Sequence, residues 1–211
     1  MAMKKLLVVG DSFMHPDPEY PGEHWSEMLP EYEIIMCSVS GSSNGIIAYK
    51  FFQGLKLNPD AVVMGFTMPD RIEFRVPIGK DYTNRIWYSN GNNELNSDQR
   101  LAVDLFRATT DDQMNLFKSC VIARCMLVEC VQRKIPFAYT LNGLFNDLTT
   151  LPYPSDSTVI SMLGEFASRM CTNLATYPKF KTSPGFHTDD PAWQNRMATE
   201  VRHILTTVDF D

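Results

Sequence analysis

The apolar run Leu6-Leu7-Val8-Val9 leads straight into Gly10-Asp11-Ser12-Phe13. A strand that stops in such a turn sets the Ser12 hydroxyl at its carboxyl end, where it is an exposed nucleophile once a base takes its proton. Gly-Asp-Ser also composes an ordinary β-turn, so chemistry here needs partners from elsewhere in the chain. One group of partners is Val39-Ser40-Gly41-Ser42-Ser43-Asn44, directly after the apolar run at 34–37. Gly41 lets backbone approach a ligand closely, and the Ser-Ser-Asn start of the next helix adds donors at a positive helix end. Another is Thr67-Met68-Pro69-Asp70-Arg71, after the run at 61–65. It offers a hydroxyl and two charges, with Asp70 and Arg71 expected to pair with each other or to contact substrate. Five cysteines form no Cys-x-x-Cys pair, and Cys120, Cys125 and Cys130, five residues apart, fan round a helix instead of stacking on one face. The expectation is buried reduced thiols and no metal site.

The elements that must position these groups follow from hydrophobic pattern. Short apolar runs at 6–9, 34–37, 61–65 and 136–141 read as strands covered on both faces, as in a parallel sheet. Helical patterns alternate with them at 22–29, 43–57, 111–133, 157–175 and 191–207. This predicts a three-layer α/β/α sandwich with a central parallel sheet, doubly wound, formed by residues 1–211 as a single domain. A polar stretch at about 70–110, rich in Asn and Gly, interrupts the rhythm. It reads as an unstructured insertion over the carboxyl end of the sheet, where ligands bind in open α/β folds.

In these blocks the chain resembles the SGNH, or GDSL-type, hydrolases. That family carries Gly-Asp-Ser after the first strand, a glycine after the second, Gly-x-Asn-Asp after the third and Asp-x-x-His near the end. The resemblance implies Ser12 as nucleophile and Gly41 as an oxyanion donor through its N–H. It places Thr67 where the family keeps asparagine, as a shorter third donor, and groups Asn44, Asp70 and Arg71 with the substrate side. The general base falls on His187, within Gly185-Phe186-His187-Thr188-Asp189-Asp190 and just ahead of the last helix. His15 and His24 lie near the first strand, and His203 lies inside that helix. Pro184 stands at the family's acid position, so Asp189 or Asp190 must orient His187, or a backbone carbonyl must do so in a Ser–His dyad.

The expected activity is serine esterase chemistry on a small acyl ester, carbohydrate esters included, with no cofactor. The alternative is an inactive SGNH-like module that binds glycan or protein, using the 70–110 stretch as its contact surface. A flavodoxin-like nucleotide binder would share the sheet but lacks a glycine-rich phosphate loop here. A net charge of −6 and the absence of any Lys/Arg run give no support for a nucleic-acid or anionic-membrane partner. Lys4 and Lys5 precede only four apolar residues, too few for a signal peptide, and nothing approaches the roughly 18 needed for a membrane helix. A cytoplasmic location is expected, and the pattern is similar to hydrolase-like proteins of bacteriophages. The oligomeric state is left open.

Overall fold

The computed structural model describes residues 3–18, 21–69, 71–78, 81–88, 97–109, 111–141, 162–171 and 191–207. Strands β1 (Lys4–Val9), β2 (Tyr32–Met36), β3 (Ala61–Gly65) and β6 (Phe137–Thr140) form a sheet in the order β2-β1-β3-β6. All three pairings are parallel, with Leu6 beside Ile34 and Ala61, and Val62 beside Phe137. Strands β4 (Arg71–Ile78) and β5 (Asp81–Tyr88) form a separate antiparallel hairpin. The helices are α1 (Asn44–Gly54), α2 (Ser97–Thr109), α3 (Asp112–Gln132) and α4 (Pro191–Thr207).

Because side chains alternate along a strand, each central strand feeds two cores. Leu7, Val9, Val62, Met64, Phe137 and Tyr139 point to one face, under Ile47 and Phe51 of α1 and Cys120, Met126 and Leu127 of α3. Leu6, Val8, Ala61, Val63 and Ala138 point to the other, under Trp193, Met197 and Val201 of α4 and under Trp25 and Leu29. Burying each large apolar side chain contributes about 1.5–3 kcal/mol, so the two cores are the main force holding the layers together. The helix starts match their capping chemistry: Ser43 accepts from the N–H groups of Gly45 and Ile46, and Asp111 from those of Gln113 and Met114. Gly54 lets α1 lie close on β1, since a Cβ there would sit 2.4 Å from Leu7 Cδ1. Among the described residues no helix is long and apolar enough to cross a membrane.

Several expectations change. The 70–110 stretch is not an unstructured insertion: its described parts are the β4–β5 hairpin, in register from Arg71 beside Tyr88 to Ile78 beside Asp81, and helix α2. A continuous helix over 157–175 is not seen in its described part, 162–171. A helical turn at 162–164 and a 3₁₀ turn at Ala167–Arg169 lead instead to Met170, which bridges Tyr139 in parallel. The backbone groups on the outer edge of β6 need partners, and the Cys171 N–H donates to Tyr139 O at 2.7 Å. The helix expected at 22–29 contracts to a 3₁₀ turn, Trp25–Met28, capped reciprocally by His24 and Glu27. Of the cysteines, Cys120, Cys130 and Cys171 are buried and Cys37 partly so, but Cys125 is exposed. The five-residue spacing does fan the helix thiols apart, and it turns the middle one outward.

Candidate active site

The sheet order makes the gap between the carboxyl ends of β1 and β3 a switch point. From β1 the chain crosses to β2 on one side, while β3 leads on toward β6 on the other. Ligands in open α/β sheets bind in such crevices. Gly10 sits at this point because nothing larger fits: a Cβ would lie 2.3 Å from Met14 Cγ and 3.0 Å from Gly65 O. Asp11 then caps the 3₁₀ turn Ser12–Met14, its Oδ1 accepting the Phe13 N–H at 3.1 Å. The turn closes through Met14 N–H to Asp11 O at 3.1 Å and His15 N–H to Ser12 O at 3.2 Å. Ser12 is therefore the first residue of a tight turn and keeps only 7% of its surface exposed.

The other carboxylate oxygen gathers the neighbouring loops. Asp11 Oδ2 accepts the Thr67 hydroxyl at 2.9 Å and Arg71 Nη1 at 3.0 Å. Arg71 Nη1 also donates to Ser42 O at 3.1 Å, in the β2–α1 loop. That loop is fastened to the nucleophile turn by Val39 N–H to Gly10 O at 3.0 Å. Its Gly41 has φ 75°, a left-handed conformation that glycine adopts without strain. Asp11, Thr67 and Arg71 are all buried, so their pairing replaces lost water. Burial pushes the Asp11 carboxyl above its ordinary value, and the Arg71 charge is the largest opposing influence, followed by the Thr67 hydroxyl.

One sequence expectation is corrected by this network, and another falls on a residue outside the described ones. The single hydroxyl hydrogen of Thr67 goes to Asp11, so the third oxyanion donor expected of Thr67 is not formed. Arg71 pairs with Asp11 and Ser42, while Asp70 lies outside the described residues. Asn44 contributes to the frame: its amide pairs reciprocally with the Thr67 backbone. His187, Asp189, Asp190 and Pro184 lie outside the described residues. What sequence reasoning missed is the Asp11–Arg71 ion pair, sixty residues apart. Its only sequence signal is an arginine placed shortly after the third strand, beside an acid that drew attention away from Asp11.

A second histidine braces the same turn. His24 Nδ1 accepts from the Ser26 N–H at 3.3 Å, which leaves the proton on Nε2 to donate to Phe13 O at 3.3 Å. The next residue, Trp25, gives its N–H to Gln194 Oε1 of α4 at 2.8 Å. The beginning of α4 is thus joined through Trp25 and His24 to the residue that follows Ser12.

No family model matches the chain, and no curated protein matches it. Among solved structures it is similar to the psychrotrophic esterase EstA from a Pseudoalteromonas species, determined with monoethylphosphonate as inhibitor. The TM-score is 0.55, with 11% identity over 96% of each chain. It is also similar to TesA, with TM-score 0.54 and 15% identity over 96% of this chain and 98% of that one. At such identities the likeness is one of fold. The parallel sheet, its order and its two helical layers give this chain the α/β/α fold of the SGNH-type hydrolases.

Proposed function

We propose that the protein is a serine esterase that hydrolyses small acyl esters, such as acyl groups on carbohydrate, through an acyl-enzyme on Ser12. One observation carries the reading: Ser12 opens a tight turn at the switch point of the sheet, and the residue before it is anchored by two buried groups that follow β3, the Thr67 hydroxyl and the Arg71 guanidinium. A merely decorative β-turn needs no buried ion pair beneath it.

In this mechanism His187 takes the Ser12 hydroxyl proton as Oγ bonds to the ester carbonyl carbon. The negative oxygen of the tetrahedral intermediate accepts the N–H groups of Ser12 and Gly41. The carbon–oxygen bond to the alcohol breaks, and His187 returns the proton to the leaving oxygen. Water, deprotonated by His187, then attacks the acyl carbon, and the acid departs as Ser12 recovers its proton. Asp189 or Asp190 orients the imidazole. The anchoring of α4 supports His187, which precedes Pro191 by four residues, a span of at most about 14 Å.

A missing oxyanion donor costs about 2.7–4 kcal/mol, so the committed Thr67 hydroxyl predicts slow turnover. The test is p-nitrophenyl acetate hydrolysis by the wild type, Ser12→Ala and His187→Ala. Both variants should lose activity while keeping the wild-type fold. Full activity in His187→Ala would remove that residue from the mechanism, and the same result in Ser12→Ala would end the esterase reading.

A further inference from the structure

Arg71 takes no part in the steps above, yet its guanidinium lies where the loops that supply them meet. It is the first residue of β4 and only 8% exposed. Nη1 reaches Asp11 Oδ2 in the nucleophile turn at 3.0 Å and Ser42 O, next to Gly41, at 3.1 Å. The Thr67 hydroxyl, from the end of β3, meets the same carboxylate oxygen. The two oxygens of Asp11 thus divide the work: Oδ1 holds the Phe13 N–H of its own turn, and Oδ2 receives the neighbours.

We propose that Arg71 is a positioning residue: by tying the Asp11 carboxylate to the Ser42 carbonyl, it holds the Ser12 and Gly41 N–H groups in one fixed relation. The proposal rests on the reading of Ser12 as nucleophile. Two backbone donors contributed by different loops work together only if the loops do not drift, and a shift of about 1 Å at a reacting centre can cost about a hundredfold in rate. Arginine suits this place because its guanidinium stays charged when buried and holds several donors in a rigid plane. Among the described residues, the groups facing the Asp11 carboxylate are the Phe13 N–H, the Thr67 hydroxyl and the Arg71 guanidinium, and Arg71 alone is charged. Removing it leaves a buried carboxylate without a counter-charge, which then takes up a proton more readily.

The experiment compares Arg71→Met, Arg71→Lys and the neutral pair Asp11→Asn/Arg71→Met with the wild type and Ser12→Ala. Amide hydrogen exchange is followed over residues 10–15 and 38–45, and kcat and KM for p-nitrophenyl acetate between about pH 5 and pH 9. In Arg71→Met, exchange in both segments should quicken and kcat fall by about tenfold or more, with KM nearly unchanged. Protonation of the His187 base gives every active variant one acid limb, and Arg71→Met should add a second, from Asp11, that the neutral pair lacks. Arg71→Lys keeps a charge but loses the planar fork, so it should show no second limb and recover only part of kcat. Unchanged exchange in both segments with wild-type kcat would overturn the proposal, as would a second acid limb that persists in the neutral pair. If Ser12→Ala keeps full turnover, the nucleophile reading fails, and hydrogen exchange alone still decides whether Arg71 holds the two loops. Should Arg71→Met not fold, Arg71→Lys and the neutral pair carry the same comparisons.

Discussion

Asn44 and Thr67 pair through a full amide exchange: Asn44 Nδ2 donates to Thr67 O at 2.9 Å, and the Thr67 N–H donates to Asn44 Oδ1 at 3.0 Å. The first residue of α1 thereby substitutes for a neighbouring strand just past the end of β3, where no strand among the described residues meets those groups. Both residues are buried, so water does not compete. Asn44→Ala leaves a buried N–H and a buried C=O unmet and is expected to cost about 2–4 kcal/mol, measured by urea unfolding. A change below about 0.5 kcal/mol would show that the pair is not formed in solution.

Gly10 should tolerate no side chain. A Cβ there would meet Met14 Cγ at 2.3 Å and the Gly65 carbonyl oxygen at 3.0 Å, so methionine and turn must both move. Gly10→Ala is expected to cost about 1–3 kcal/mol and to displace Ser12 as well. Gly164 is the control, since a Cβ there meets nothing within 4 Å. Thermal unfolding should separate the two, with Gly164→Ala neutral or slightly stabilised.

The thiols should react in the order of their burial. Cys120 and Cys130 are pushed up to about 12 by burial, and burial raises Cys171 as well. Cys37 is partly buried and raised, while Cys125 is exposed on the outer side of α3. Native protein treated with iodoacetamide at about pH 8 should be alkylated first at Cys125, with Cys120, Cys130 and Cys171 reacting only after unfolding. Peptide mass mapping reads the order, and rapid labelling of Cys120 would mean that α3 does not cover the sheet.

Glu31 gives a pH dependence of known sign. Arg202 Nε donates to its Oε1 at 2.7 Å, and that hydrogen bond lowers the Glu31 carboxyl from its ordinary value of 4.5. A depressed acid contributes stability above its unfolded value and loses that contribution as the pH falls through the lowered one. Both partners are about half exposed, so the pair is worth at most about 1 kcal/mol. Glu31→Gln should be slightly less stable than the wild type at neutral pH, with the difference closing in acid. A difference that grows in acid would contradict the assignment.

The strands at 6–9, 34–37, 61–65 and 136–141 were legible because each is a short apolar run between helical patterns, and the sheet places all four in parallel. Helices α1, α3 and α4 were legible from periodicity and from Ser43 and Asp111 at their starts. The hairpin escaped because it lies in a stretch otherwise rich in Asn and Gly, although Ile72, Phe74 and Val76 alternate with Glu73, Arg75 and Pro77 as a strand requires. The break at Ala167–Met170 was illegible for a different reason: the edge of β6 imposes it, and no local pattern announces a distant edge. In the site, Ser12, Gly41 and Thr67 could be named from the ends of strands. The partner of Asp11 could not, since Arg71 stands beside Asp70 in the sequence and beside Asp11 only once β1 and β3 are adjacent.

The central claim is that Ser12 is a nucleophile, and fluorophosphonate labelling read by intact mass tests it most directly. The account predicts one adduct on the wild type, mapped to Ser12, and none on a folded Ser12→Ala variant. An unlabelled wild type, or a label that survives in Ser12→Ala, would contradict it.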